Sequence, residues 1–225
     1  ETGSAGAKEF GESDHGVDAA IVGEPTSLDI VRVHRGGGHW RVVTHGTAAH
    51  SSTPELGDNA IFRMADVIQV IREEFSRRLA GRSHPLAGQS SFSVGRVSGG
   101  RSFNMVPDQC ELIVERRQIP GESLTDVEHE LEEVLDVARA RHPELRVEVA
   151  NPVVFAEVLD TPEHASIVQA AQDAATAVLG SANVIGVAYG SDASILANAG
   201  IPSVLCGPGD IAYAHTADEF VPIVE

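Results

Sequence analysis

Hydrophobic and polar residues follow two different periods between residues 37 and 150. Apolar residues recur at helical spacing over 60–79 and 125–141. Alternation with period two, which is typical of strands with one buried face, runs through 39–44, 90–97, 109–117 and 145–149. The resulting order β-α-β-β-α-β is that of the split βαβ motif. The pattern therefore predicts a ferredoxin-like domain over residues 37–150.

Both helices of this domain have recognisable starts. Asp58 or Asn59 can cap the first helix, and Thr125 can cap the second, with Glu128 completing a capping box. Each helix has one apolar face that we expect to pack on the sheet. The two faces consist of Ile61, Met64, Ala65, Ile68, Ile71 and Phe75, and of Val127, Leu131, Val134, Leu135 and Ala138.

The flanking segments have the strand and helix order of an α/β protein. The apolar run 19–22 stops at Gly23 and Pro25, because proline cannot donate to a ladder. The other predicted elements are a short helix at 5–12, a strand at 28–33, a helix at 163–179, a strand at 183–187, a turn opening a helix at 190–196, and a strand at 203–206. Strands separated by helices predict a mostly parallel sheet with helices on its faces.

We therefore expect three segments. Residues 1–36 and 151–225 form one α/β domain, and residues 37–150 are inserted into it. The glycine run at 36–38 is expected to act as a hinge between the two parts.

Composition narrows the possible partners and the compartment. The formal net charge of −17 argues against nucleic acid and anionic membrane surfaces. No apolar run approaches the roughly 20 residues that span a bilayer. Cys110 and Cys206 fit no metal or redox spacing, which favours a reduced cytoplasmic protein. The chain opens on Glu1 rather than Met and closes on an apolar run, so we expect a fragment of a longer protein.

Two residues at strand-Gly-Pro turns are candidates for chemistry. Glu24 lies between Gly23 and Pro25 in the first such turn, and His215 follows the second, Gly207-Pro208-Gly209. If the two strands share a sheet, both side chains reach the same edge of it. A carboxylate and an imidazole are common zinc ligands. Asp218 or Glu219 could instead hydrogen-bond to His215 and so orient its imidazole.

A series of motifs in one order along nearly the whole chain resembles a known enzyme family. The motifs are Val22-Gly23-Glu24-Pro25-Thr26, Gly46–Pro54 with Gly57–Ala60, Gly99-Gly100 with Asn104–Asp108, Arg117 with Pro120-Gly121-Glu122, Gly207-Pro208-Gly209, and Ala214–Glu219. The chain resembles the dinuclear zinc metallopeptidases, which include acetylornithine deacetylase, succinyl-diaminopimelate desuccinylase, aminoacylase-1 and glutamate carboxypeptidase.

The resemblance implies part of a metal site. Glu24 would bind one Zn²⁺ ion and His215 the other, with Co²⁺ as a substitute metal. Glu1 matches the last glutamate of a Glu-Glu pair and would be a further ligand. The general base would precede Glu1, and the family's His-x-Asp motif and bridging aspartate have no match here. We therefore expect this chain to be inactive alone.

The resemblance also implies a lid. His50 would reach the active site of the other subunit and stabilise the oxyanion. Asn104 and Arg117 would hold the substrate carboxylate. Because side chains alternate along a strand, only one of Arg116 and Arg117 can face the site, and we favour Arg117. The remaining substrate-binding candidates are Gly190, Ser191, Asp192 and Gly207, although Asp192 could equally cap a helix. His34, His39 and His45 are more often structural.

The expected function is zinc-dependent hydrolysis of the amide bond of an N-acyl amino acid or small peptide. Two metal ions would activate a water that attacks the carbonyl. A carbamoyl-amide hydrolase and a non-catalytic, ligand-binding or dimerising member of the family remain alternatives. We expect a homodimer formed through the lid, with contacts from helix 60–79 and an edge strand near 39–44.

Overall fold

The structure is a computed structural model and describes residues 4–13 and 16–223. Its helices are α1 (Ala5–Glu12), α2 (Ala60–Leu79), α3 (Leu124–Arg141), α4 (Ser166–Leu179) and α5 (Ala193–Asn198), with 3₁₀ turns at Pro54–Leu56 and Ile211–Tyr213. Its strands are β1 (Ala20–Val22), β2 (Ile30–His34), β3 (Gly36–His45), β4 (Ala49–His50), β5 (Ser83–His84), β6 (Gly88–Gln89), β7 (Ser91–Gly99), β8 (Met105–Val106), β9 (Gln109–Gln118), β10 (Arg146–Ala156), β11 (Leu159–Asp160), β12 (Val184–Val187) and β13 (Ser203–Leu205). In this described part of the chain, no helix is both long and apolar enough to cross a membrane.

Strands β3, β7, β9 and β10 form a four-stranded antiparallel sheet in the order β10-β3-β9-β7. This order and the two connecting helices confirm the predicted ferredoxin-like fold. Because β3 and β9 are paired on both sides, the edges of the sheet are β10 and β7. The expectation that residues 39–44 form an edge strand is therefore wrong.

Helices α2 and α3 cover one face of the four-stranded sheet and form the larger hydrophobic core with it. All the inward positions predicted for α3 are buried. In α2, Met64, Ile71 and Phe75 are buried as expected, but Ile61 and Ala65 are exposed. The buried face of α2 follows residues 60, 64, 67, 71 and 75, so positions 61 and 65 lie about 100° to its side.

The starts of the two helices follow the capping rules, with one shift in position. The Asn59 side chain accepts the N–H groups of Ile61 and Phe62, so Asn59 caps α2. Helix α3 begins two residues earlier than predicted, with Ser123 as cap and Asp126 completing the capping box. Both Ser-x-x-Asp and Thr-x-x-Glu satisfy the local rule. The earlier start also packs Leu124 against the core.

The glycines at 36–38 begin strand β3 and are buried, so they do not form the expected hinge loop. They pair with residues 116–118 of β9. A Cβ at Gly36 would lie 2.7 Å from Gln118 Oε1, and one at Gly38 would lie 2.8 Å from the Trp40 ring. These positions require glycine for close packing, not for flexibility.

The second sheet contains β1, β13, β2, β12 and β11 and is mixed, not mostly parallel. Strand β1 is parallel to β13 and β12 is parallel to β2, but β2 is antiparallel to β13 and β11. Only a short loop connects β1 to β2, and a parallel crossover needs about a dozen residues. Strand β2 therefore returns in the opposite direction.

A hairpin of the four-stranded unit packs on the five-stranded sheet. Leu86 and Ala87, between β5 and β6, form a small apolar cluster with Val33 of β2 and with Ile119. The Arg35 side chain donates from Nε to the Ala87 carbonyl oxygen at 2.6 Å. This contact fixes the hairpin beside the end of β2.

Candidate active site

Two loops meet where β1 and β13 end. The strands run side by side with Val22 opposite Leu205, so their following loops leave the sheet at the same edge. Gly207 packs on the backbone of Glu24, and a Cβ added at Gly207 would lie 2.7 Å from the Glu24 carbonyl oxygen. This is the arrangement that the sequence predicted for the two Gly-Pro turns.

Hydrogen bonds between these loops fix the position of Glu24. The Thr26 and Leu28 N–H groups both donate to the Gly207 carbonyl oxygen, at 3.2 and 3.0 Å. In return the Gly207 N–H donates to Thr26 Oγ1 at 3.2 Å. Ser27 and Leu28 adopt positive φ angles of 52° and 63°, which residues other than glycine rarely do. The bonds across the loops hold the chain in this strained turn.

Two residues from distant parts of the chain influence the electrostatics of Glu24. Burial raises the pKa of Glu24, the Asp192 carboxylate raises it further, and His215 lowers it. Asp192 is the N-cap residue of α5 by position, but its side chain makes no hydrogen bond to the helix end. Asp192 and His215, both singled out from the sequence, thus influence Glu24 electrostatically.

His215 is held by its backbone. Its φ angle is 62°, in the left-handed region that disfavours a residue with a side chain. Its N–H donates to Glu219 Oε2 at 3.0 Å. Glu219 therefore supports the main chain of His215, whereas the sequence suggested that an acidic neighbour would orient the imidazole.

The turn containing Gly190 and Ser191 lies against the end of β2. A Cβ at Gly190 would lie 2.3 Å from Ala156 Cβ and 3.2 Å from the Arg35 carbonyl oxygen, so this position also requires glycine. Ser191 Oγ lies 3.1 Å from His34 Nε2 and accepts the Ala193 N–H at 3.2 Å. Ser191, not Asp192, is thus the residue that caps α5 through its side chain.

Tyr189 and Asp210 also belong to this region, although the sequence did not single them out. Burial and the charges of Glu24 and Asp210 raise the pKa of Tyr189 to about 12, so it stays protonated. Its hydroxyl donates to the Pro25 carbonyl oxygen at 3.4 Å. The sequence signals were present, because Tyr189 adjoins the Gly190 turn and Asp210 directly follows Gly209.

The two neighbouring arginines of β9 face opposite sides of the four-stranded sheet. Arg116 is 1% exposed and points under the helices, toward Glu122 and Glu130. Arg117 is partly exposed on the other face and pairs with Glu115. Burial lowers the pKa of Arg35, and the nearby Arg117 guanidinium lowers it further. Arg117 therefore lies on the side of the Gly190 turn, as the alternation argument requires.

His50 and Asn104 lie together at the opposite end of the four-stranded sheet. The Ser51 N–H donates to the Asn104 carbonyl oxygen, and His50 pairs with Met105. The Ser52 N–H donates to His50 Nδ1, so the neutral imidazole carries its proton on Nε2. From Gln109 to Arg117, strand β9 spans about 27 Å. Within one chain, Asn104 and Arg117 are thus too far apart to bind the same substrate carboxylate.

Comparisons with known proteins agree with this architecture. A sequence profile described as the peptidase dimerisation domain matches residues 32–143. An acetylornithine deacetylase of Myxococcus xanthus is 32% identical over 99% of this chain, and one of Erwinia tasmaniensis is 34% identical over 98%. The chain belongs to the metallopeptidase family of acetylornithine deacetylase. The resemblance inferred from the motifs is therefore confirmed.

A solved peptidase structure has the same fold. The crystal structure of a tripeptidase from Staphylococcus aureus superposes with a TM-score of 0.69 over 92% of this chain and 54% of its own, at 24% identity. The chain spans 58% and 57% of the length of the two deacetylases.

The candidate donor side chains are of types that bind zinc, but too few of them are grouped in the described residues. A carboxylate and an imidazole, from Glu24 and His215, are suitable ligands for zinc. Among residues 4–13 and 16–223, however, no group of three or more His, Cys, Asp or Glu side chains could hold a metal ion. Glu1, the further ligand suggested by the motifs, lies outside the described residues.

Proposed function

We propose that the protein hydrolyses the amide bond of an N-acyl amino acid or small peptide in a zinc-dependent reaction. The observation that carries this proposal is the meeting of the Glu24 loop with the Gly207 loop, which leads to His215, at the edge where β1 and β13 end. The names of the relatives support the same bond class, because both deacetylases remove an acyl group from an amino acid.

In this proposal Glu24 and His215 are metal ligands, and Glu1 is a third. The site binds two Zn²⁺ ions, for which Co²⁺ can substitute, and bound metal lowers the pKa of a water and polarises the amide carbonyl. The strained, hydrogen-bonded loops around Glu24 and His215 keep both side chains in place before metal binds. Asp192 adds a negative charge that favours cations at this edge.

The remaining candidates bind the substrate. Gly190, Ser191, Asp192 and Gly207 line the sheet edge, and Arg117 provides a planar cation for a carboxylate. The Nε2–H of His50 is a suitable donor to an oxyanion. We assign residues 1–36 and 151–225 to the catalytic domain and residues 37–150 to the lid, and we place the protein in the cytoplasm, where its unbonded Cys110 and Cys206 stay reduced.

The distance between the two ends of the lid supports a homodimer. His50 and Asn104 lie at one end of the four-stranded sheet and Arg117 lies about 27 Å along β9 from Gln109, so a complete site needs His50 and Asn104 from a second chain. Edge strand β7, with helix α2 beside it, replaces β3 as the proposed contact. Exposed apolar side chains also cluster at the end of the lid that carries His50 and Asn104, and such clusters often mark an interface. They are Leu56, Ile61, Phe62, Phe103 and Met105.

A charge placed on this surface is expected to dissociate the dimer. Phe62 is 70% exposed on α2, so Phe62→Glu should leave folding intact and shift sedimentation from dimer to monomer at micromolar concentration. Val178 is a matched control, because it is an exposed apolar residue on α4. Val178→Glu should sediment as the parent protein does. A parent protein that is already monomeric would contradict the proposed contact.

The reaction itself is tested in the full-length gene product. It is expected to release free amine from at least one N-acyl amino acid, to lose this activity with a chelator, and to regain it with Zn²⁺ or Co²⁺. A panel that includes N-carbamoyl amino acids and small peptides separates the carbamoyl-amide alternative. No amine release from any member of the panel, with metal bound, would mean that the protein is a non-catalytic member of the family.

A further inference from the structure

Two connections join the four-stranded unit to the five-stranded sheet, and they lie side by side. One leads from β2 to β3, and the other leads from β10 to β11. His34, before the first connection, is in register with Leu159, after the second. On the other side of the connections, Gly37 is in register with Ala156. Two adjacent connections resist sliding, but changes in φ and ψ at a few of their residues allow one part to rotate against the other.

A third contact joins the tip of the β5–β6 hairpin to the face of the five-stranded sheet. A Cβ added at Gly186 of β12 would lie 2.5 Å from the Leu86 carbonyl oxygen and 2.7 Å from Leu86 Cβ. Gly186 is in register with Val33 of β2. Because a Cβ points out of the plane of a sheet, Leu86 lies over the face at these two strands. The two connections leave from strand ends in the plane of the sheet, so the hairpin tip lies off the line through them.

Hydrogen bonds give the hairpin tip its shape and attach it to Arg35, directly after β2. His84 Nδ1 accepts the N–H groups of Leu86 and Ala87, both at 3.2 Å. The Ala87 carbonyl oxygen accepts from Arg35 Nε at 2.6 Å. A Cβ at Gly88 would lie 2.8 Å from Arg35 Nη2, so the guanidinium passes close to the hairpin backbone. Because His84 already holds the tip in shape, packing it on the sheet costs little further conformational entropy.

Apolar packing ties the hairpin tip to both parts of the protein. Val33 of β2 and Ile119, directly after β9, form a cluster with the tip residues Leu86 and Ala87. Val33, Ala87 and Ile119 are buried in it. The tip therefore links the end of β9 in the four-stranded unit to the end of β2 in the five-stranded sheet.

A part that is attached along one line can rotate about it, and a contact away from the line prevents this rotation. We propose that residues 83–89 form a latch that fixes the angle between the four-stranded unit and the five-stranded sheet. Opening the latch lets the unit rotate about the two connections. The end that carries His50 then moves most, because displacement grows with distance from the axis. Over the length of about 27 Å between Gln109 and Arg117, a rotation of about 10° displaces this end by about 5 Å.

The test inserts one methyl group between the hairpin tip and β12. Gly186→Ala places a Cβ closer to Leu86 than Cβ atoms approach other atoms, so the tip must lift. In the full-length protein, spin labels at Glu128→Cys on α3 and Ala170→Cys on α4, both exposed, report the distance between the two parts. Cys206→Ser, with serine at any other accessible cysteine, prevents unwanted labelling, and dilution with unlabelled protein removes distances between subunits. The parent should give one narrow distance distribution, and Gly186→Ala a broad one.

Gly95→Ala is the matched control. Gly95 lies at a register shift of β7, as Gly186 does in β12, but nothing lies within 4 Å of a Cβ added at Gly95. Its distance distribution should stay narrow. Leu86→Ala opens the latch by loss of apolar contact, so it should broaden the distribution even if Gly186→Ala does not fold. A narrow distribution in Leu86→Ala or in folded Gly186→Ala, or a broad one in the parent or in Gly95→Ala, would overturn the inference.

Opening the latch is also expected to affect catalysis through His50. Arg117 is in register with Gly37, beside the connections, so it moves little. Gly186→Ala should therefore lower kcat, as loss of His50 does, and leave KM near the parent value. This consequence rests on the proposed function, whereas the distance measurement does not. A protein that releases no amine but still shows the broadened distances would refute the proposed function and leave the latch in place.

Discussion

Replacing His215 with alanine is expected to lower kcat/KM for amide hydrolysis by more than about 100-fold. Loss of an outer partner of a metal ligand costs about 10- to 100-fold, and loss of the ligand itself removes more. The effect should appear in metal content as well as in kcat. Atomic absorption of the purified variant should show one metal ion fewer for each chain, while circular dichroism stays unchanged.

The control for this prediction is His164→Ala. His164 is exposed in the turn before α4, so its removal should change neither metal content nor activity. If His215→Ala retained full metal content and more than a tenth of the activity, His215 would not be a ligand.

A mixed dimer extends the same prediction to His50. His50→Ala alone should lower kcat by about 100- to 1,000-fold, as the loss of one oxyanion donor does. If His50 acts in the other subunit, a dimer of one His50→Ala chain and one His215→Ala chain has one intact site. Equal co-expression should then recover about a quarter of the parent activity, because half of the two-fold dimers are mixed. No recovery in a purified mixed dimer would place His50 outside the site.

Arg116→Met is expected to lower the free energy of unfolding by about 3 kcal/mol, because it removes the buried partner of Glu122 and Glu130 and leaves them only the partly exposed Arg82. Arg116 Nη2 lies 2.9 Å from Glu122 and 3.4 Å from Glu130, and Nη1 donates to the Arg117 carbonyl oxygen at 2.6 Å. Burial opposes the ionised form of Glu122, but Ser90 and Arg116 hold its pKa below the usual range. The measurement is urea unfolding at neutral pH.

Arg117→Met is the matched control, because it changes the adjacent residue on the other face of the same strand. A partly exposed ion pair contributes at most about 1 kcal/mol, so this variant should unfold at nearly the parent urea concentration. In the activity assay Arg117→Met should have the larger effect of the two substitutions, because it should raise KM for a carboxylate substrate. Equal destabilisation by the two substitutions would contradict the buried network.

The local elements were predictable because neighbours in sequence determine them. The alternation in 109–117 and the helical spacing in 60–79 describe strands and helices whose bounds the structure confirms. Errors occurred where two positions satisfy the same local rule. Ser123 and Thr125 both begin a capping pattern, and the choice between them depends on whether Leu124 reaches the core.

Arrangement within the sheets was less predictable. Alternation identifies β3 as a strand, but only the strand order shows that it is central. The glycines at 36–38 have the composition of a loop, yet the space beside Trp40 and Gln118 requires them within a strand. Sequence spacing contains no information about such long-range contacts.

The sequence by itself determined the family, the ferredoxin-like insertion and the identity of Glu24 and His215 as candidates, because motifs and periodicity are local properties of the chain. Only the tertiary structure decided that the Gly207 loop packs on Glu24, that His34 hydrogen-bonds to Ser191, and that His50 lies at the far end of the sheet from Arg117. Those relations depend on strand pairing and burial between distant residues, which are set when the whole chain packs.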